Sequence, residues 1–186
     1  MQQKRIGNVA AIILALLYPA LWLLLIPELD ESDDLLQAIG EILAGTAMIL
    51  MAMGIFLSTR PRWLENFFGG LDKMYITHRR LALTAVALLI VHFLINVDLP
   101  PDQPGTIMGT IAFLGIMTIV VLTLAPRIPL LRNILRLAYH QSHNTHIFIG
   151  IFFIMGLIHY VWVVPIFLGS VPGVYMTAFA ITGSIA

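Results

Sequence analysis

Hydrophobic positions do not alternate along this chain. They gather into six long runs broken by short polar stretches: Gly7–Ile26, Leu35–Leu57, Arg79–Val97, Thr106–Ala125, His146–Phe167 and Val171–Ala186. Each of the first five is close to the ~20 residues that a helix needs to cross ~30 Å of hydrocarbon. The runs are too long for strands and lack a period of two, so each predicts a helix. The sixth run has 16 residues and no polar flank, and is expected to be a truncated span. Met1–Arg5 before the first run resembles the basic start of a secretion signal. The apolar stretch is too long for one, and no small-x-small cleavage site precedes Pro27–Asp34. The first run therefore predicts a retained helix, kinked at Pro19.

Composition agrees. Hydrophobic residues make up 59% of the 186 positions and charged residues 11%, against roughly 25% charged in a soluble domain. With a mean hydropathy of +0.93, a water-soluble fold is excluded. The charges also predict an orientation. Lys4, Arg5, Arg60, Arg62, Lys73, Arg79, Arg80, Arg127, Arg132 and Arg136 all fall at the N-terminus or about the second and fourth connections. The first, third and fifth connections carry Glu28, Asp30, Glu31, Asp33, Asp34, Asp98 and Asp102 instead. Since Lys and Arg stay cytoplasmic, both termini are expected inside, as in a multi-pass protein of the plasma (inner) membrane. The expected fold class is an all-α membrane protein, a bundle of six transmembrane helices forming one domain over residues 1–186.

Net charge is zero, which leaves nucleic-acid binding without an electrostatic footing. There is no cysteine, which excludes disulfides, Cys-ligated zinc, iron–sulfur clusters and thioether-attached haem. The two basic connections mix apolar and charged residues. Ser58–Thr77 carries Trp63, Leu64, Phe67 and Phe68 and breaks at Gly69–Gly70; Pro126–Thr145 contains the amphipathic stretch Leu130–Arg136. Both are expected to lie along the inner membrane surface. Each is shorter than the roughly 30 residues of one βαβ unit, and no Gly-rich dinucleotide fingerprint occurs.

Six histidines remain as candidate chemistry. His78 and His92 lie 14 apart on the third predicted helix; His146 and His159 lie 13 apart on the fifth. Both helices run from inside to outside, so His78 and His146 share an inner level and His92 and His159 an outer one. The levels differ by about 20 Å at 1.5 Å per residue. Opposed imidazoles on facing helices suit the two axial positions of a haem iron, and two such haems, stacked across the membrane, would form an electron wire. Proton-relay histidines in a haem-free scaffold or transporter are the alternative use of such residues. A spacing of 14 returns to within about 40° of the starting face, whereas 13 falls about 140° away. The fifth helix is therefore expected to tilt or to hold a winding defect such as a π-bulge. Gly150 and Gly156, and Ala82 and Ala85 on the third helix, offer room for a flat porphyrin or serve ordinary close packing. Arg79 and Arg80, beside His78, are placed to pair with haem propionates as well as to anchor the helix.

The segments Leu64–Asp72, His78-Arg79-Arg80-Leu81-Ala82 through His92-Phe93, and His146 through His159-Tyr160-Val161-Trp162 resemble the ferric reductase-like transmembrane domain. That superfamily includes NADPH oxidases, ferric-chelate reductases and the haem-binding membrane subunit of the methionine sulfoxide reductase system. The resemblance covers about the whole chain. It implies two b-type haems, the inner on His78 and His146 and the outer on His92 and His159, fed by cytosolic NAD(P)H through FAD. It also implies an inter-haem aromatic residue at Phe152. The chain departs from the family in having no flavin domain, in having Asn96 four residues after His92, and in lacking Arg on its second helix. Superoxide production is therefore not expected. The sulfoxide reductase subunit is likewise short, but has Arg-type residues where His78 stands. The expected activity is outward electron transfer from a cytoplasmic flavoprotein, a partner or an absent C-terminal domain, to oxygen, ferric iron or quinone. The alternative is a haem-bearing membrane subunit of a larger complex that exchanges electrons with quinone.

Weaker candidates complete the set. His140 and His143 step by three toward His146 in the manner of a metal box, although a solvated surface helix explains them better. Glu41, one turn inside the second helix, fits a carboxylate reaching water better than a proton relay or quinol contact. The acidic connection Glu28–Asp34 is read as solvation rather than as a ferric iron trap.

Overall fold

The computed structural model describes residues 6–25, 35–96, 103–135, 139–163 and 169–186. Among these residues it is all-helical, without strands. The acidic connection 28–34, Asp98, Asp102, Lys4, Arg5 and Arg136 lie outside the described residues. The helices are α1 (Ile6–Leu25), α2 (Leu35–Ser58), α3 (Arg62–Phe68), α4 (Leu71–Ile95), α5 (Pro104–Leu124), α6 (Pro129–Leu135), α7 (Tyr139–His146), α8 (Ile149–Val163) and α9 (Val171–Ile185). Among the described residues five stretches are long and apolar enough to span a bilayer: α1, α2, α4, α5, and His140–Val163 across α7 and α8. The sixth apolar run is a helix too, but its 15 residues reach only about 22 Å. The expected six spans thus stand as five long helices and one shorter one.

The chain divides into two units, Met1–Leu99 with Val164–Ala186, and Pro100–Val163. In the first unit α2 packs against α1, α4 and α9. Every residue from Ala47 to Gly54 is buried, as expected of a helix covered on all sides. α1 buries only the stripe Gly7, Ala11, Ala15, Tyr18 and Trp22 and exposes Ile12, Ile13, Leu16 and Leu24. An apolar exposed face is unfavourable in water and natural against lipid. Pro19 stands inside α1, which stays helical on both sides of it. Two glycines set the α1 contacts. A methyl group at Gly45 would overlap the Tyr18 ring, and one at Gly7 would come within 2.8 Å of the Phe68 ring.

The turn after α2 places Arg60 at φ 53, the one positive φ of a non-glycine residue among the described residues. α3 then begins behind Pro61 and ends at Gly69, whose left-handed conformation (φ 79) lets its N–H reach the carbonyls of Glu65 and Asn66. The break expected at Gly69–Gly70 is therefore present. Trp63 on α3, and Leu130 and Ile134 on α6, are exposed, so each surface helix carries apolar side chains outward.

In the second unit α5 packs against α8 and α7, with Phe153 fully buried. The predicted fifth helix is broken. α7 stops at His146, Ile147 and Phe148 form a turn, and α8 resumes at Ile149. The bonds across the break run from Phe148 N–H to Thr145 O, Gly150 N–H to Ile147 O and Ile151 N–H to Phe148 O. These are spans of three residues, so the winding is tighter than α and the expected π-bulge is corrected to a 3₁₀-type turn. At 3.0 residues per turn each such residue turns about 20° further than in an α-helix. Three of them remove about 60° of the 140° offset between His146 and His159.

Candidate functional site

α4 and α2 are antiparallel neighbours, and their contacts place the first histidine pair. The Nδ1–H of His78 donates to the carbonyl oxygen of Gly54 at 2.8 Å, and the Nδ1–H of His92 to that of Gly40 at 2.9 Å. Gly40 and Gly54 lie 14 apart, as do His78 and His92, so the two bonds repeat one register along the helix pair. A carbonyl oxygen can only accept, which fixes the proton on Nδ1 and the lone pair on Nε2. Asn96 Nδ2 stands 3.3 Å from His92 Nδ1, but both nitrogens are donors. Its real acceptor is the His92 carbonyl at 2.8 Å. A methyl group at Gly40 would lie 2.7 Å from that amide nitrogen.

The second unit repeats the device. The Nδ1–H of His159 donates to the carbonyl of Gly105 at 2.7 Å. His146 Nδ1 lies 3.3 Å from the Thr123 hydroxyl, which donates to the Ile119 carbonyl at 2.7 Å. Gly105 and Thr123 are 18 residues, five whole turns, apart and so share one face of α5. Both histidines therefore turn toward one face of α5, an outcome that a uniform fifth helix would not deliver. Gly109 is the closest approach: a methyl group there would lie 2.7 Å from His159 Nδ1 and Cε1.

The three imidazoles bonded to carbonyls thus present the same tautomer. Neutral His with Nδ1–H held by an oxygen and Nε2 as the basic nitrogen is the usual state of a metal-ligating histidine. A charged imidazolium would be costly in an apolar helix interior. The donor set therefore fits axial ligation of haem iron. Among the described residues no three His, Cys, Asp or Glu side chains converge on one point. His140 and His143 are exposed and complete no metal group with His146.

The remaining candidates fall as follows. Arg79 and Arg80 are exposed on α4 beside His78, whose ring stacks against Tyr75 at 6.3 Å between centroids. Phe152 is half-buried, its ring so close to Gly115 of α5 that a methyl group there would overlap it. Gly150 faces open space. Ala85 is fully buried and Ala82 half-buried, so Ala85 serves close packing. Glu41 is half-buried on α2. The hydrogen-bond partners Gly40, Gly54, Gly105 and Thr123, and the small contact Gly109, are not among the residues that motif and hydropathy single out. The equal 14-residue spacings of the glycine and histidine pairs were the available signal.

The chain matches no protein-family model, and no curated protein matches it. The ferric reductase-like resemblance rests on the residues quoted for it.

Proposed function

We propose that this protein is a transmembrane electron conduit that holds two b-type haems through His78, His92, His146 and His159. One observation carries the reading: all four intramembrane imidazoles are held through Nδ1 by an oxygen of a neighbouring helix, three of them by backbone carbonyls. The pairing of His78 with His146, and of His92 with His159, follows from the levels that the charge pattern assigns. Haems held by these histidines would supply one-electron redox chemistry.

The chain's residues do the rest. The Gly40, Gly54 and Gly105 carbonyls fix the tautomer and rotation of their rings and raise the donor strength of Nε2, and Thr123 orients the His146 ring. The apolar helices keep water away. Arg79 and Arg80 offer cations to the propionates of the haem at the His78 level. The donor is a cytoplasmic flavoprotein, as partner or further domain, and the acceptor lies at the outer face: oxygen, ferric iron or quinone. With the inside negative, each electron gains about 2.3 kcal/mol per 100 mV on leaving, so this direction needs no other energy source. A haem subunit serving quinone uses the same site and differs only in its donor and acceptor.

The test is a reduced-minus-oxidised spectrum of the purified protein. A b-type band with two haems per chain is expected. His78→Ala should remove one haem and His92→Ala the other. A spectrum without that band would eliminate the reading, and two haems in both variants would overturn the ligand assignment.

A further inference from the structure

The first unit holds an apolar cavity of about 470 Å³ at the end where α3 lies. Its walls come from the start of α1, the end of α2, α3, Leu81 of α4 and the end of α9. Ala11, Ala52, Phe56, Trp63, Phe68 and Phe179 are among them. One hydroxyl reaches the wall, that of Thr182, and it donates to the Ala178 carbonyl at 2.8 Å. Besides that hydroxyl, the Trp63 indole N–H is the one side-chain donor among the lining residues, so the two carbonyls of a quinone headgroup are poorly served. A helix ~10 Å across would fill this volume within about 6 Å of its length. The space suits a single hydrocarbon chain.

What lies beside the cavity selects the headgroup. Trp63 lines the wall and is also 67% exposed, as expected of an indole at a membrane–water boundary. Arg60 and Arg62, exposed on either side of Pro61, precede it directly. Basic side chains at a membrane surface attract anionic lipid.

We propose that this cavity seats one acyl chain of an anionic phospholipid, whose phosphate is held by Arg60 and Arg62. With the basic connections cytoplasmic, the lipid comes from the inner leaflet. The site is independent of the haem reading, because lipid binding and haem content are measured separately.

Native mass spectrometry of the full chain, titrated with phosphatidylglycerol or phosphatidylcholine, tests it. The first phosphatidylglycerol should bind at least about fivefold more tightly than phosphatidylcholine, the preference that one basic side chain near a membrane surface confers. Arg60→Gln with Arg62→Gln should equalise the two lipids. Ala52→Phe, which fills the cavity, should abolish retention, and Leu14→Trp, at a partly exposed wall position, should do the same if the Ala52 variant fails to fold. Equal binding of both lipids, a preference that survives the arginine changes, retention in the folded filled-cavity variants, or displacement by an isoprenoid quinone would each overturn the proposal.

Discussion

Alanine in place of Gly109 would set a methyl group 2.7 Å from Nδ1 and Cε1 of His159 and 3.0 Å from Cγ. Carbon atoms rest at ~3.5–4.0 Å, so the ring must retreat by about 1 Å. It is not free to do so, because its Nδ1–H is committed to Gly105 at 2.7 Å. Overpacking costs about 1–3 kcal/mol, and losing that hydrogen bond about 1 kcal/mol more. Removing a helical glycine returns up to ~1 kcal/mol. The balance opposes the present ring position by about 1–3 kcal/mol. Gly54 is the control. A methyl group there would lie 3.8 Å from His78 Nδ1, an ordinary contact, so Gly54→Ala keeps the bond and gains helix propensity. The assay is haem content per chain with a reduced-minus-oxidised spectrum, alongside thermal unfolding. Gly109→Ala should lose or spectrally alter one of two haems, whereas Gly54→Ala should keep both and unfold no earlier than the parent. Two unperturbed haems in Gly109→Ala, or a lost haem in Gly54→Ala, would refute the claim that these contacts hold iron ligands in place.

Three further outcomes follow from the same geometry. Thr123→Val removes the hydroxyl beside His146 and should raise the midpoint potential of the haem that uses this ligand, while Thr123→Ser should restore it; potentiometric titration of the bands decides. Gly115→Ala drives a methyl group into the Phe152 ring and should weaken the α5–α8 packing by about 1–3 kcal/mol, seen as earlier thermal unfolding. NADPH and FAD added to the purified protein should leave the haem bands oxidised until a flavoprotein reductase is supplied; rapid reduction without one would show that the chain is self-sufficient.

The apolar helices, their approximate ends and the break at Gly69–Gly70 were readable from the chain alone. Hydropathy and turn chemistry act locally and add along the sequence. The spacings of the histidine candidates were readable for the same reason, because 14 and 13 residues translate directly into a separation along a helix. That arithmetic also showed that a uniform fifth helix would turn His146 and His159 apart, without saying what would mend it. Tertiary structure supplied the tight turn at Ile147–Phe148 and the facing acceptors. Gly54, Gly40, Thr123 and Gly105 meet their histidines across 23 to 54 residues of chain. No local pattern encodes such bonds, because each depends on how one helix is rotated against another. Sequence by itself determined that this chain forms long apolar helices of the kind that cross a bilayer, and how far apart along them its imidazoles stand. Only packing decided which ring nitrogen is the base, because that choice is made by the carbonyl that the neighbouring helix brings within 3 Å.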